Sequence, residues 1–301
     1  MTINYVLALG AGVMGSQVSF YHAMRGSNVT QFDISEEALA ACKEHHRGYV
    51  DAFHAANPSF TDEDIEAGLA RIDYSSDLEN AAQNADLVIE SVPEVLEIKQ
   101  KVYAGLDRIC PQNTIFATNT STMLPSAIAP STGRPDRFLA LHYANGIWNS
   151  PLVEVMKHPG TDDAVFREIV GFVEASKLVP IKLEKEQPGY ITNSLLVPWL
   201  TAGLTLVVND ISSHQDVDKT WMICNQGIGM GPIGVLDLVG FEVARNVVRL
   251  QAAAEPNNPQ HQKNIDYLEE HFINKGLTGA LGGQGFYSYP NPEYAKTDFL
   301  R

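Results

Sequence analysis

Residues 5–15 read Tyr5-Val6-Leu7-Ala8-Leu9-Gly10-Ala11-Gly12-Val13-Met14-Gly15. The first five are apolar or aromatic, as in a buried strand, and the glycines follow at G-x-G-x-x-G spacing where a helical pattern begins. In this pattern Gly10 permits a tight turn, Gly12 lets a pyrophosphate approach the backbone, and Gly15 allows close packing of helix on strand. The stretch predicts a strand-turn-helix unit that binds a dinucleotide at the helix N-terminus, with Val13 and Met14 at the same place.

Asp33 follows the second strand-like run, Asn28–Phe32, and lies 18 residues beyond Gly15. A carboxylate at this place accepts hydrogen bonds from the ribose hydroxyls and repels the 2′-phosphate of NADP. The next residues, Ile34-Ser35-Glu36, supply no arginine that would hold such a phosphate. We therefore expect the cofactor to be NAD.

Short β-rich runs alternate with helical patterns through the first half of the chain. This alternation predicts βαβ units and a mostly parallel α/β sheet of the Rossmann type. Two helical segments between the second and third runs predict an inserted helical arm, and Thr61-Asp62-Glu63-Asp64 fits a capping box that opens the second segment. The strand-like runs are Tyr5–Leu9, Val29–Phe32, Leu87–Glu90, Ile115–Thr118, Phe138–His142 and Val153–Met156.

A change of pattern near residue 187 predicts a domain boundary. Strand signals stop after Lys182–Glu186, Gln187-Pro188-Gly189 breaks the chain, and the remainder has the pattern of helices joined by loops. We expect an NAD-binding Rossmann domain over residues 1–187 and an all-α domain over residues 188–301. The apolar segment Ile191–Val208 contains Asn193 and Pro198, so we expect a buried helix there and no membrane span.

Charge and cysteine content restrict the classes of function. The chain has 301 residues and a formal net charge of −15, which repels nucleic-acid phosphates and anionic lipid. Its three cysteines have no CxxC spacing, so we expect neither disulfides nor a metal site. We take His45, His46 and His54 of the arm to be surface residues. With no export signal before the first strand, we expect a cytoplasmic protein with a small-molecule substrate that binds neither nucleic acid nor membranes.

Two polar side chains in the second half of the sheet are candidates for chemistry. His142 ends the run Phe138–His142, and ligands of open α/β sheets bind outside the carboxyl ends of the strands. Glu154 stands between two valines and needs a partner if it is buried. A carboxylate beside an imidazole fixes the tautomer and favours the protonated form, which suits a base for alcohol oxidation. Spacing alone leaves open that His142 caps a loop and that Glu154 faces solvent.

Several further motifs follow in order along the chain. They are Gly10–Gly15, Asp33, Asn119-Thr120-Ser121-Thr122, Asp136-Arg137-Phe138 with His142, Pro151–Val155, Pro188–Leu196, Gly231-Pro232 with Leu236-Asp237, and Gly285-Phe286-Tyr287. In this order they resemble the L-3-hydroxyacyl-CoA dehydrogenases over nearly the whole chain. The resemblance implies NAD-dependent oxidation of an L-3-hydroxyacyl-CoA to the 3-ketoacyl-CoA, or the reverse, by a homodimer that associates through its helical C-terminal domain.

The resemblance assigns His142 as the general base and Glu154 as its orienting partner. It also implies that Ser121 and Asn193 donate hydrogen bonds to the substrate oxygens. From the residues alone, Ser121 is equally an ordinary loop former and Asn193 equally a helix residue whose amide bonds a neighbouring backbone group.

The resemblance places Glu94 and Lys99 beside the ribose and nicotinamide of the cofactor, with Asn119 in the same site. From the residues alone, Glu94 and Lys99 are also compatible with an exposed helical ion pair of little energetic value. Asn119 begins a polar run that is typical of loops.

Three departures from the family's pattern concern the CoA group. The loop Tyr143–Trp148 replaces an aromatic pair followed by Asn-Pro, the arm between Arg47 and Arg71 has no basic residue except His54, and Gly279–Gly285 lacks basic residues. A dehydrogenase of a free 3-hydroxy acid or sugar acid, like the carnitine and gulonate dehydrogenases, is therefore the alternative substrate class.

The motifs leave two other functions to consider. A non-catalytic NAD-binding relative would be favoured by loss of a catalytic residue. An enzyme of the 3-hydroxyisobutyrate and 6-phosphogluconate dehydrogenase type would need a catalytic lysine where Asn193 stands.

Overall fold

The computed structural model describes residues 3–226, 228–296 and 299. The chain divides into two units, Met1–Ile191 and Thr192–Arg301. The predicted boundary at residue 187 lies shortly before this division. Each unit is described by itself below.

One eight-stranded sheet organises the first unit, with strand order β3-β2-β1-β4-β5-β6-β7-β8. Neighbouring strands in this sheet run parallel except β6 and β7, which are antiparallel. The predicted mostly parallel Rossmann-type sheet is therefore confirmed. The strands are β1 Tyr5–Leu9, β2 Asn28–Phe32, β3 Ile72–Ser75, β4 Leu87–Glu90, β5 Ile115–Thr118, β6 Phe138–Tyr143, β7 Leu152–Met156 and β8 Val179–Leu183.

Helices cover both faces of the sheet because successive side chains of each strand point to opposite sides. Val6 and Ala8 pack with the cluster that contains Phe20 of α1, whereas Leu7 and Leu9 pack with the cluster that contains Tyr103 of α5. The helices of this unit are α1 Val13–Met24, α2 Glu36–Ala56, α3 Asp62–Leu69, α4 Leu78–Ala82, α5 Leu96–Ile109, α6 Pro125–Ile128 and α7 Asp163–Ala175.

The predicted helical arm consists of α2 and α3. Its capping box is confirmed, because Thr61 Oγ1 accepts a hydrogen bond from Asp64 N (3.2 Å) and Asp64 Oδ2 accepts one from Thr61 N (2.9 Å). The short edge strand β3, which follows the arm, was not predicted. A stretch of four residues with two polar ones carries little strand signal.

The prediction that the three arm histidines lie on the surface is wrong for His46, which is fully buried. Its Nε2 lies 3.0 Å from the carbonyl oxygen of Ser16, and its Nδ1 lies 2.6 Å from the hydroxyl of Tyr74. The inner side of α2 packs on α1, and hydrogen bonds from both elements satisfy the imidazole. A polar residue can occupy such a position when its partners are provided by distant elements.

The second unit is helical in the described residues, as predicted. Two buried aspartates fix its loops: Asp218 accepts hydrogen bonds from the backbone N–H groups of Ile233 and Gly234 (2.7 Å each), and Asp237 accepts them from Phe286 and Tyr287. The helices are α8 Tyr190–Val208, which begins in the first unit, and α9 His214–Cys224, α10 Pro232–Val239, α11 Phe241–Ala254 and α12 Pro259–His271.

The prediction of a buried helix over Ile191–Val208 is wrong as to burial. Leu200 and Leu204 of α8 pack in the core of the second unit, but Leu195 and Leu206 are exposed. By length and composition α8 would be able to cross a membrane, with a mean hydropathy of 1.6, and 22% of its most apolar window is buried. An all-round apolar helix therefore presents one side to solvent in the single chain.

Candidate active site

The three glycines of the fingerprint lie between β1 and α1, and each has its own geometric reason. Gly10 has a φ of +94°, and a Cβ on it would come within 2.6 Å of the Ser91 carbonyl oxygen. A Cβ on Gly15 would overlap the carbonyl oxygen of Gly10, so the close packing of α1 on the turn requires glycine. A Cβ on Gly12 would meet no atom within 4 Å. The backbone at Gly12 thus faces open space at a helix N-terminus, as the approach of a pyrophosphate requires.

Asp33 follows β2 and lies against the same turn. Its Oδ2 accepts a hydrogen bond from Ala11 N (2.8 Å), and its Oδ1 accepts one from Ser35 N (3.0 Å). A carboxylate has about four lone-pair sites, so these bonds leave capacity for ribose hydroxyls. The turn and Asp33 together fit NAD.

His142 and Glu154 are directly opposite each other in the antiparallel pair of β6 and β7. Opposite residues of such a pair project to the same face of the sheet. His142 Nδ1 lies 2.8 Å from Glu154 Oε2, and the side chains are 12% and 1% exposed. Glu154 Oε1 accepts a second hydrogen bond, from Ile191 N (2.8 Å). Glu154 therefore does not face solvent, and the buried carboxylate has the imidazole as its partner.

The pairing sets the chemistry of the exposed side of the imidazole. An ionised Glu154 can only accept, so Nδ1 carries the proton and Nε2 of neutral His142 is an acceptor. Ser121 Oγ lies 3.1 Å from Nε2. The basic lone pair therefore points toward Ser121, away from Glu154.

Tyr190 also contacts the imidazole, and sequence reasoning assigned it no role. Its fully buried ring stacks on that of His142, with centroids 4.5 Å apart and an interplanar angle of 27°. The backbone at Tyr190 has a φ of +56°, an uncommon and strained conformation for a bulky residue. One turn of chain thus supplies both the ring against His142 and the Ile191 N–H to Glu154. The Pro188-Gly189 breaker before it was the available signal.

Glu94 holds the loop that presents Ser121. Its Oε1 accepts hydrogen bonds from the hydroxyls of Thr120 and Thr122, the two neighbours of Ser121. Burial alone would raise the pKa of Glu94, but the Thr120 hydrogen bond and the charge of Lys99 outweigh it, and the pKa lies below its usual value. The carboxylate is thereby kept in its accepting form.

Lys99 is buried and lies behind Glu94. Its side chain is 1% exposed, and its Nζ lies 2.6 Å from Glu90 Oε1 and 3.2 Å from Glu94 Oε2. Glu90, at the end of β4, also accepts hydrogen bonds from Thr118 Oγ1 (2.7 Å) and Val92 N (2.8 Å). The alternative of an exposed ion pair is therefore wrong for Lys99, whereas Glu94 is 39% exposed. Sequence reasoning missed Glu90, whose only signal was a carboxylate closing an apolar strand.

Asn119 joins the ends of neighbouring strands at the same edge of the sheet. Its Oδ1 accepts a hydrogen bond from Tyr143 N (3.0 Å), and its Nδ2 donates one to Ser91 Oγ (3.1 Å).

Asn193 is half-buried near the start of α8 and belongs to the second unit. The first unit thus brings together His142, Glu154 and Ser121. In the part of the chain that the structure describes, no group of three His, Cys, Asp or Glu side chains could hold a metal ion.

Models of two protein domains match the chain in succession. The NAD binding domain of 3-hydroxyacyl-CoA dehydrogenase matches residues 5–187, and the C-terminal domain of the same enzyme matches residues 189–289.

Individual proteins agree with this match. Human mitochondrial hydroxyacyl-coenzyme A dehydrogenase is 33% identical over 291 residues, which cover 95% of this chain and 91% of that enzyme. The solved structure of a diketoreductase that acts on dicarbonyl compounds is 42% identical, with a TM-score of 0.88, over 96% of this chain and 100% of that one. The (S)-3-hydroxybutyryl-CoA dehydrogenase of Ralstonia eutropha is 26% identical, with a TM-score of 0.84, over 96% and 100% of the two chains.

The NAD-fitting turn and the two matched domains lead to one assignment. The chain is an NAD-dependent oxidoreductase and belongs to the 3-hydroxyacyl-CoA dehydrogenase family.

Proposed function

We propose that the enzyme interconverts the C3 hydroxyl of an L-3-hydroxyacyl-CoA and the corresponding 3-keto group, with His142 as general acid and base. The observation that carries the proposal is the 2.8 Å contact between His142 Nδ1 and Glu154 Oε2, because it leaves Nε2 as the acceptor for a substrate proton. Bound NAD supplies the chemistry of hydride transfer.

In the oxidation direction, the substrate hydroxyl donates to Nε2 of His142, in place of Ser121. As the C3–H bond breaks, the hydroxyl proton moves to Nε2, and Glu154 stabilises the imidazolium that forms. Ser121, released from Nε2, donates to the substrate oxygen. Asn193 is the second donor that we propose. Reduction runs the same steps backwards, with the imidazolium as proton donor.

The cofactor contacts are also proposals. Gly10, Gly12, Val13, Met14 and Gly15 would hold the pyrophosphate at α1 through their backbone.

Asp33 would hold the adenosine ribose. Glu94 and Asn119 would lie beside the nicotinamide and its ribose. Lys99 is enclosed behind Glu94, so we propose that it acts by fixing Glu94 and has little direct contact with the cofactor.

A second candidate substrate, a dicarbonyl compound without CoA, is favoured by the charge of the arm. Residues 36–71 contain eight acidic and three basic residues, which repel a nucleotide phosphate instead of binding it. The 42% identical relative of solved structure acts on dicarbonyl compounds. Both candidates present a keto group to His142, so they share the mechanism and differ in the group attached to the second carbonyl.

Oxidation of NADH in the presence of each ketone tests the reaction and separates the candidates. We expect the wild-type enzyme to reduce acetoacetyl-CoA, and His142→Gln to abolish this turnover. If the enzyme reduces ethyl acetoacetate or free acetoacetate but does not reduce acetoacetyl-CoA, the substrate class is the one without CoA. Inactivity on all three would refute the proposed reaction.

We also propose that the second unit pairs with a second copy of the chain. Its exposed apolar side chains include Leu195 (70% exposed), Ile211 (69%) and Leu250 (62%). Each would gain about 1.5–3 kcal/mol if fully buried. Light scattering should give twice the mass of one chain for the wild type and for Val179→Glu, an exposed site in the first unit, but less for Leu195→Glu. An unchanged dimer in Leu195→Glu would place the interface elsewhere.

We propose that the enzyme is cytoplasmic and binds neither membranes nor nucleic acid. Co-sedimentation with anionic vesicles tests the membrane statement, because the exposed side of α8 would drive association if no second copy covered it.

A further inference from the structure

Gln17 of α1 makes two hydrogen bonds to the loop that follows the catalytic strand. We call residues 144–151, between β6 and β7, the β6–β7 loop. Gln17 Nε2 donates to Asn145 Oδ1 (2.7 Å), and Gln17 Oε1 accepts from Gly146 N (2.8 Å). Gln17 is 5% exposed, so both ends of a buried amide are satisfied by this loop.

The neighbours of these contacts hold the loop at further points. Ile147 is fully buried in the core. The ring of Trp148 packs against Tyr49 of the arm, with centroids 4.9 Å apart, and Tyr49 OH lies 3.0 Å from Ser16 Oγ. Before the loop, Tyr143 OH lies 2.8 Å from His22 Nε2 on α1. The loop therefore rests on α1 both directly and through the arm.

The position of Gln17 links two parts of the site. It lies two residues after Gly15, on the helix whose N-terminus faces the cofactor turn, and Asn145 lies three residues after His142. The amide thus fixes the distance between α1 and the chain segment that leaves the base. Loss of both bonds would leave the partly buried Gly146 N–H without its acceptor and release the loop from α1 at this point.

We propose that Gln17 is a specificity-determining residue. Its two hydrogen bonds to Asn145 and Gly146, which we call the clamp, fix the part of the β6–β7 loop that follows His142, and we call this part the wall of the substrate site. The wall in turn selects the substituent on the ketone carbon. The inference rests on the proposed function, because the substituent belongs to the 3-keto substrate. In the free enzyme the clamp acts before substrate binds, so the wall is preformed. Without the clamp, longer acyl groups would displace the loop and be accepted more readily.

Three variants test the clamp. Gln17→Leu has a similar volume and loses both bonds. Gln17→Glu keeps the acceptor for Gly146 N, and the Asn145 amide can turn to donate, so it should rescue much of the effect. Gln100→Leu is the matched control, because Gln100 donates to Ala127 O (3.0 Å) at an exposed place away from the loop.

The readout is the ratio of kcat/KM for a short and a long ketone, ethyl acetoacetate and ethyl 3-oxohexanoate, and for their CoA counterparts. In Gln17→Leu the ratio should shift at least about tenfold toward the long ketone, the low end of what one methylene is worth in a pocket. The KM for NADH should stay within about twofold, because the cofactor turn is unchanged. An unchanged ratio, or a ratio shifted equally by Gln100→Leu, would overturn the inference.

Hydrogen exchange at Gly146 N–H separates the clamp from the reaction. Gln17→Leu should accelerate this exchange at least about tenfold, and Gln100→Leu should not. Unchanged exchange would overturn the clamp even if every ketone were reduced. A wild-type enzyme inactive on all ketones, with accelerated exchange in the variant, would refute the proposed function and the acyl selectivity but not the contact itself.

Discussion

His142 and Glu154 are cross-strand partners in the antiparallel β6–β7 pair, with 2.8 Å between Nδ1 and Oε2. The reversal of strand direction matters, because it places a side chain from the middle of β7 opposite one near the end of β6. Both then lie at the edge of the sheet where the parallel strands end and where the cofactor turn is found. The fold thus places the proposed base at the edge of the sheet that carries the glycine turn, without a long loop.

The stacking of Tyr190 on His142 predicts an effect on kcat. Tyr190→Phe keeps the ring and should retain activity within about threefold, whereas Tyr190→Leu should lower kcat about tenfold or more, because the imidazole can tilt away from the reacting hydroxyl. The KM for NADH should not change. Steady-state kinetics of both variants check this. Equal losses of kcat in Tyr190→Phe and Tyr190→Leu would show that the site needs the hydroxyl of Tyr190 and not its ring.

Thr120 predicts a second positioning effect, through Ser121. Thr120→Val removes the donor to Glu94 at nearly constant volume and should lower kcat about tenfold, because the Ser121 loop loses its anchor. Thr114→Val is the matched control: it removes a buried hydrogen bond to Ala85 O (2.6 Å) away from the loop. The control should lose stability and keep its kcat. Equal kcat values in wild type and Thr120→Val would remove Glu94 from this role.

His46 predicts a dependence of stability on pH. Burial lowers the pKa of His46 from the usual 6.5 to about 4. The hydrogen bond to the carbonyl oxygen of Ser16 opposes this shift, and the charge of the nearby His45 adds a smaller decrease. As pH falls from about 6.5 to about 4, the unfolded chain takes up a proton that the folded site excludes, so the free energy of unfolding decreases.

His46→Gln, which cannot titrate, measures this contribution. The variant should be less stable than the wild type at neutral pH. The difference between their free energies of unfolding should decrease by roughly 2–3 kcal/mol by pH 4.5. Denaturant unfolding across this range checks the sign, with the exposed His54→Gln as control. A difference in the free energy of unfolding that increases as pH falls would contradict a buried, neutral His46.

Asp33 predicts cofactor preference. NAD should be favoured over NADP by at least about tenfold in kcat/KM, a difference of about 1.4 kcal/mol. Asp33→Asn should narrow the preference, chiefly by weakening NAD use, and Glu36→Gln, outside the cofactor turn, should not. Kinetics with both cofactors check this. Equal use of NAD and NADP by the wild type would contradict the role of Asp33.

Local patterns predicted the fold and the cofactor turn because their causes are local. The three glycines lie within one turn of six residues, and the mostly parallel sheet follows from the alternation of strands and helices. The site was predicted where neighbouring strands carry it, as with His142 and Glu154. Gln17 and Gly146 meet across 129 positions of sequence, and no spacing rule reports such a contact.

Burial was the harder property to predict. Lys99 has the helical spacing of a surface residue, and only the position of Glu90 at the end of β4 shows that its charge is enclosed. His46 is buried for a similar reason, since its partners come from α1 and β3. For α8 the sequence reports apolarity correctly, but apolarity alone does not show which of its side chains the rest of the chain buries.

His142 is the base that we propose, and Glu154 is proposed to act through it. His142→Gln should lower kcat by at least about 100-fold, the low end of general-base contributions, and leave NADH binding near normal. Glu154→Gln should also slow the reaction while NADH binding, followed by fluorescence titration, is retained.

The double-mutant cycle of these two residues, measured as the single-turnover rate of NADH oxidation with a reducible 3-keto substrate, is the most direct test. Residues that act as one unit give losses far from additive, so the double variant should be within about threefold of His142→Gln alone. A double variant whose rate loss is the product of the two single losses, or a His142→Gln enzyme that keeps its rate, would contradict the role of His142 as a base coupled to Glu154.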